Sequence, residues 1–321
     1  MVSKAIVPFF TQQHKMAKRM GVFIRYTAVV AVLALFLIIA TRNLTDLDFA
    51  SVEWKLGPLL LSVVFLQSGM MVNVLLMKFV LRFLGSEASF KDAYNAYFIS
   101  NVGRYIPGKI WQILILTRLA RSHGVGAIEG STLFTINQLL VVISGFLFVF
   151  FLLVFDSTIL SKSLFIIIII LSSVIFLFPG FLVKTANFFL SRLTFREIQY
   201  SITRKYALCV AGFVFISYFF TGVGFAFLTY GIGLPVADPC YLVAVYPLSY
   251  LIGYLSLITP GGIGVRESAV MFLLRDHFST EMAALLSVIA LIWFVAVELL
   301  NGAIAMNSVG RARQDGRARS K

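Results

Sequence analysis

Six stretches of the chain run almost without polar residues: about 22–40, 58–81, 131–155, 164–183, 207–230 and 282–306. Each approaches or exceeds the roughly 20 apolar residues a helix needs to cross the hydrocarbon layer. The stretch 164–171 reads LFIIIIIL and has no polar face at all. A helix apolar on every side belongs in lipid or deep inside a bundle. The pattern therefore predicts an all-α integral membrane protein with about six transmembrane helices.

Two further apolar stretches, roughly 93–117 and 240–275, are each interrupted by Pro-Gly. The first reads NVGRYIPGKIWQI over 101–113, the second LITPGGIGVRES over 257–268. Proline removes a backbone donor and blocks the preceding turn, and glycine loosens the chain. Neither stretch should form one clean helix. Counting both as crossings would give eight spans.

Charge arbitrates between crossing and re-entry. Basic residues cluster at Lys4, Lys15, Lys18 and Arg19, at Arg118 and Arg121, between Lys184 and Lys205, and in the tail from Arg311 to Lys321. Cytoplasmic loops carry the excess of Lys and Arg. If both broken stretches crossed, Arg118, Arg121 and the 184–205 cluster would face outside. If both enter and leave on one side, every basic cluster faces the cytoplasm, and loops 41–57, 156–163 and 231–239 face out. Re-entrant hairpins are the expectation, with both termini cytoplasmic and a short basic tail at 308–321.

That topology contains an inverted repeat. The pseudo-halves 1–156 and 157–321 of a single membrane domain each run span, span, hairpin, span, with opposite orientation. Broken helices at matching positions of inverted repeats mark substrate sites in transporters.

Composition agrees with the pattern. Hydrophobic residues make up 60% of the 321, charged residues only 13%, and mean hydropathy is +0.93. A soluble core of this size could not hide so many apolar side chains. The net charge of +13 would suggest nucleic acid in a soluble protein, but the positive-inside rule accounts for it here. The first run is longer than a signal-peptide core and reads as a retained span. Cys209 and Cys240 lack metal-ligand spacing, and His14, His123 and His277 do not cluster. Neither a metal nor a cofactor is expected.

The candidate chemistry lies at the two breaks. A helix restarting after Pro107 and Gly108 would offer free N–H groups to an anion. Arg104 and Lys109 add positive charge beside it, the first as a planar fork, the second as a point charge. At the second break, Pro260, Gly261, Gly262 and Gly264 permit positive φ or close approach of backbone. Glu267 sits where the helix dipole favours a carboxylate, and Arg266 could pair with it or with a phosphate. Plain snorkelling and charge neutralisation are the competing readings. Ionisable residues at membrane depth are functional candidates. Glu298, inside the last run, needs a cationic partner, and Arg104 and Arg266 are the choices. Gln67, Asn73, Asn137 and Gln138 read as interhelical hydrogen-bonding residues.

GRYIPGKIW (Gly103–Trp111) and TPGGIGVRES (Thr259–Ser268), in this order and spacing, resemble the flippase-like transmembrane family of lysylphosphatidylglycerol synthases. The resemblance extends over nearly the whole chain. It implies a polytopic bundle with re-entrant helices in the bacterial inner membrane that moves a lipid between leaflets. The matching site positions would be Arg104, Pro107, Gly108, Lys109, Pro260, Gly261, Gly262, Gly264, Arg266 and Glu267. The full synthases carry a soluble aminoacyl-transfer domain, whereas about fifteen polar residues follow the last run here, so aminoacyl transfer is not expected.

The first expectation is a lipid flippase or translocase whose cargo is aminoacylated phosphatidylglycerol or a polyprenyl-phosphate-linked envelope intermediate. The second is a small multispan glycosyltransferase using Asp46 and Asp48 of the first outer loop. The third is an accessory subunit of an envelope lipid or glycan synthase, or a homo-oligomer.

Overall fold

The computed structural model describes residues 53–105, 127–153, 202–234, 238–256 and 259–319, besides positions 180 and 184. The expected span 22–40 lies outside them, and so does 164–183 apart from position 180. So do the second arm of the first hairpin, with Pro107, Gly108 and Lys109, and the acidic pair Asp46 and Asp48.

The described residues are helical, with no strand among them. Seven helices follow in chain order: α1 (Leu56–Phe83), α2 (Phe90–Val102), α3 (Ala127–Leu153), α4 (Arg204–Gly231), α5 (Pro239–Leu255), α6 (Val265–Leu274) and α7 (Thr280–Arg319). Among the described residues, Leu56–Phe83, Arg204–Gly231 and Thr280–Arg311 are long and apolar enough to cross a membrane. Their outer faces expose Leu60, Val64, Leu208, Phe219, Leu300 and Ile304. Apolar surface of that extent is at home against lipid tails. The chain fits a multi-pass membrane protein.

Small residues set how closely the helices approach. α1 and α4 run antiparallel, with Leu59 beside Gly231, Ser62 beside Gly224 and Gly69 beside Ser217 and Thr221. A Cβ on Gly69 would lie 2.7 Å from Thr221 Oγ1, so only glycine permits this spacing. Small residues at such contacts are the usual device in membranes, where lipid tails are as apolar as the side chains they would replace. Polar side chains tie the same interface: Asn73 Nδ2 donates to Ser217 Oγ at 2.7 Å, and Ser217 Oγ donates to Gly69 O at 3.1 Å.

The segment 239–274 folds back on itself, as the broken pattern predicts. Asp238 caps α5 by accepting from the Cys240 and Tyr241 amides, and Pro239 occupies the first turn, where no donor is missed. α6 returns antiparallel to α5, with Tyr241 Oη donating to Leu273 O at 2.6 Å at one end and Gly253 against Arg266 at the other. Between them lie a tight turn at Pro260–Gly262 and the N-cap Gly264. Gly261, Gly262 and Gly264 all have positive φ, at 64°, 74° and 88°. A Cβ on Gly262 would also lie 2.5 Å from Gly253 O.

Two features differ from the sequence reading. α7 does not stop near 306 but continues through the basic tail to Arg319. Alanine and arginine there are good helix formers, and no proline ends the run. Pro247 lies inside α5. It leaves the Val243 carbonyl without its usual intrahelical donor, and that carbonyl faces Gly222 of α4, where any side chain would collide with it.

Candidate functional site

α2 is set by a capping box: Ser89 Oγ accepts from the Asp92 amide at 3.2 Å, and the Asp92 carboxylate accepts from the Ser89 amide at 3.0 Å. The helix tightens at its far end into a 3-10 turn, Gly103–Tyr105, which carries Arg104 and Tyr105 into the protein interior. Arg104 is 8% exposed. Its guanidinium pairs with Glu298 of α7 and donates to the Tyr250 hydroxyl of α5. The Tyr105 hydroxyl donates to the other oxygen of Glu298. Glu298 itself is 1% exposed. A charge so deep is tolerated only when paired and hydrogen-bonded, so Arg104 and Tyr105 are what permit a carboxylate in the last long helix. Of its two candidate partners, Glu298 takes Arg104.

The second break is built differently. Arg266 donates from Nε to Glu267 Oε1 at 3.1 Å, and Glu267 Oε2 accepts from the Gly264 amide, closing the first turn of α6. The helix start is therefore occupied by its own side chain, and the Gly264 N–H is not free for an anion. Arg266 also lies over Phe294 at 5.1 Å and Tyr246 at 5.6 Å.

The two breaks meet. A Cβ on Gly261 would lie 2.8 Å from the Tyr105 ring, so the glycine is what lets the aromatic sit on the turn. Phe294 bridges the two cations, with Arg104 5.7 Å and Arg266 5.1 Å from its centroid. Segments about 155 residues apart in the sequence thus share one centre.

Beside that centre lie two neighbouring cavities. The inner one, about 90 Å³, is bordered by Tyr97, Ser100, Asn101 and Arg104 of the first break, by Asn73, Ser217 and Thr221 of the α1–α4 pair, and by Asn137, Gln138, Tyr250 and Tyr254. The other, about 300 Å³, shares Arg104, Phe134, Gln138, Val142, Tyr250 and Tyr254 with it and adds Gly253, Gly261, Gly262, Leu139 and Leu255. Leu139 and Leu255 are exposed on the outer surface. Polar groups thus gather at the inner end, and the outer end is walled mainly by apolar side chains.

Of the site residues expected from sequence, Arg104, Gly261 and Gly262 line these cavities. Gly264, Arg266, Glu267 and Glu298 stand behind them, as the turn and the counter-charge. Pro260 begins the turn. Asn73, Asn137 and Gln138, read from sequence as helix-to-helix bonds, border the inner cavity as well. The sequence reading passed over the tyrosines. Tyr246, Tyr250 and Tyr254 recur every fourth residue and so share one face of α5. Tyr97, Ser100, Asn101 and Arg104 fall at the helical spacing of a single polar stripe, which could have pointed to the cavity. Cys209 and Cys240 are free thiols, and no cluster of three or more His, Cys, Asp or Glu among the described residues could hold a metal.

No family model matches the chain, and comparison with curated proteins gives no match either.

Proposed function

We propose that the protein carries an anionic or modified lipid between the leaflets of a membrane. The observation that supports this most is the pair of neighbouring cavities that share Arg104, Tyr250 and Tyr254. A polar inner compartment with a buried guanidinium adjoins a larger, mainly apolar one that reaches the lipid-facing leucines Leu139 and Leu255. The first offers polar groups to a headgroup, and the second offers mainly apolar walls to an acyl or prenyl tail. Irregular backbone at membrane depth is tolerated where it lines such a space, and both broken segments converge on this one.

On this reading the stretches 93–117 and 240–275 re-enter rather than cross. The 17 residues of α5 reach only about 25 Å at 1.5 Å per residue, short of the ~30 Å hydrocarbon layer. The topology is six spans and two re-entrant hairpins in an inverted repeat, with both termini on the cytoplasmic side of a bacterial inner membrane. The resemblance to the flippase-like region of lysylphosphatidylglycerol synthases belongs to the same reading. Arg104 holds the headgroup phosphate with the face that Glu298 leaves free, and the halves rock to expose the cavity alternately.

The test is leaflet exchange. Purified protein in vesicles with a fluorescent anionic lipid should speed its transfer to the outer leaflet, read by chemical quenching of the exposed label. Arg104→Lys keeps the charge and loses the planar fork, and should slow exchange at least ten-fold while the protein remains folded. Equal rates in the variant and the wild type would remove Arg104 from the carrier site. No exchange by the wild type with any anionic lipid would leave the enzyme or accessory-subunit reading in its place.

A further inference from the structure

A ligand in the inner cavity meets groups with opposite hydrogen-bonding needs. Asn73 donates through Nδ2 to Ser217 Oγ at 2.7 Å and to Gly69 O at 3.2 Å. Its Oδ1, which can only accept, has no donor among the described residues. Asn137 is the converse: its Oδ1 accepts from the Tyr206 hydroxyl at 3.5 Å, and its Nδ2, which can only donate, has no acceptor there. Two more side chains of the same lining hold unmet polar atoms, the Nε of Arg104 and the hydroxyl of Tyr218. Both residues are more than nine-tenths buried.

Headgroup chemistries answer these needs differently. Phosphate oxygens at neutral pH mainly accept, and an ammonium only donates, but a hydroxyl does both. A bare phosphate monoester would serve Arg104 and Asn137 and leave Asn73 Oδ1 unmet. An aminoacylated headgroup would bring an ammonium beside a guanidinium. Among the described lining residues Arg104 is the one charged side chain, and none is a carboxylate that could receive that ammonium. Its own charge is already offset by Glu298 behind it. Among the described residues, what remains is a nearly neutral lining of amides and hydroxyls with a cation at its edge. That set matches vicinal hydroxyls next to a single phosphodiester.

We propose that the inner cavity selects a lipid whose headgroup is a polyol or sugar joined through a phosphodiester, over one ending in a bare phosphate or an aminoacyl group. The inference rests on the lipid-carrier reading for the tail, but the headgroup preference is a matter of binding alone.

The full chain in phosphatidylcholine nanodiscs is titrated with phosphatidylinositol, phosphatidic acid and lysylphosphatidylglycerol, and bound lipid is counted by native mass spectrometry. Phosphatidylinositol should bind at least ten-fold more tightly than the other two. Asn73→Ala/Asn137→Ala should bring it to within about two-fold of phosphatidic acid, which loses only the Asn137 contact. Tyr218→Phe removes one hydroxyl with little change of shape and serves as a second variant if the double one does not fold. It should weaken phosphatidylinositol three-fold or more. Equal binding of phosphatidic acid, tightest binding of lysylphosphatidylglycerol, or a polyol preference untouched by both variants would each overturn the proposal. Leaflet exchange measured in parallel separates the two readings. A polyol preference without exchange sinks the carrier and leaves the headgroup inference standing, and exchange without any preference does the reverse.

Discussion

The protein buries two arginines about one phenylalanine, and they are held in opposite ways. Arg104 takes its carboxylate from α7, 194 positions away in the sequence, and a hydroxyl from α5. Arg266 takes its carboxylate from the next residue, which also closes the turn of its own helix. The first is a long-range tie that borders both cavities, and the second is local and borders neither. Similar burial and similar aromatic neighbours therefore do not imply the same work. Arg104 joins three helices beside two cavities, whereas Arg266 holds the turn between α5 and α6 in shape.

Breaking the long-range tie should have the largest effect. Removing one partner of a buried ion pair strands the other charge and costs about 3–5 kcal/mol. Arg104→Met and Glu298→Met should each lower the melting temperature of the protein in nanodiscs sharply. The double variant Arg104→Met/Glu298→Met leaves no stranded charge and should recover most of that loss, because an apolar pair of similar volume packs well. It should still fail to exchange lipid. Two single variants as stable as the wild type would show that the pair carries no coupling, and the contrast with Arg266 would dissolve.

Arg266→Met should cost less, about 1–3 kcal/mol, the usual penalty for leaving a buried polar group short of a partner. Glu267 keeps its bond to the Gly264 amide and its place at the start of α6, where the helix dipole favours it. Leaflet exchange should stay within two-fold of wild type at a temperature where the variant is folded. A ten-fold loss of exchange in a stable Arg266→Met protein would return Arg266 to the carrier site.

Glycine substitutions sharpen the same contrast at the turn. Gly262→Ala meets both a positive φ and the Gly253 carbonyl 2.5 Å away. Gly85→Ala meets a positive φ of 80° with nothing within 4 Å. Backbone strain of this kind costs about 1–3 kcal/mol. Gly262→Ala should lie at or above the top of that range and Gly85→Ala near its bottom, compared by melting temperature. Similar values for both would mean that the close approach of the turn to α5 contributes nothing.

Much of this arrangement could be read in the chain, because hydropathy and Pro-Gly punctuation are local signals. The runs 58–81, 207–230 and 282–306 each fall on a helix, as does the described part of 131–155, and the break at 260–264 falls on the turn between α5 and α6. Charge alone left Glu298 with two possible partners. The choice depends on where α2 ends, and that follows from a 3-10 turn set by helix packing rather than by composition. The cavity was hidden for a related reason. Asn73, Asn137, Tyr97 and Tyr250 come from four helices, and each alone resembles an ordinary polar residue of a membrane bundle. Only their helical spacing hinted at a shared face, and nothing in a one-dimensional pattern says which faces converge.

The smallest expected effect tests that last distinction directly, through two asparagines of similar setting. Asn301 of α7 is fully satisfied. Its Nδ2 donates to Gln67 Oε1 at 2.9 Å and to Val297 O at 2.8 Å. Its Oδ1 accepts from Gln67 Nε2 at 3.0 Å and from the Tyr94 hydroxyl at 2.6 Å. Neither Asn301, Gln67 nor Tyr94 borders either of the two cavities. Interhelical hydrogen bonds in membranes average about 0.6 kcal/mol, so Gln67→Ala should cost roughly that, and Asn301→Ala, which strands Gln67 and Tyr94 together, somewhat more. Both should exchange lipid at the wild-type rate. Asn73→Ala should cost about as little in stability, since one of its amide atoms is unmet already, yet it should slow exchange several-fold. If Asn301→Ala slowed exchange as much as Asn73→Ala, the unmet amide would have no special bearing on the cargo. The polar side chains of this bundle would then all be read as helix-to-helix ties.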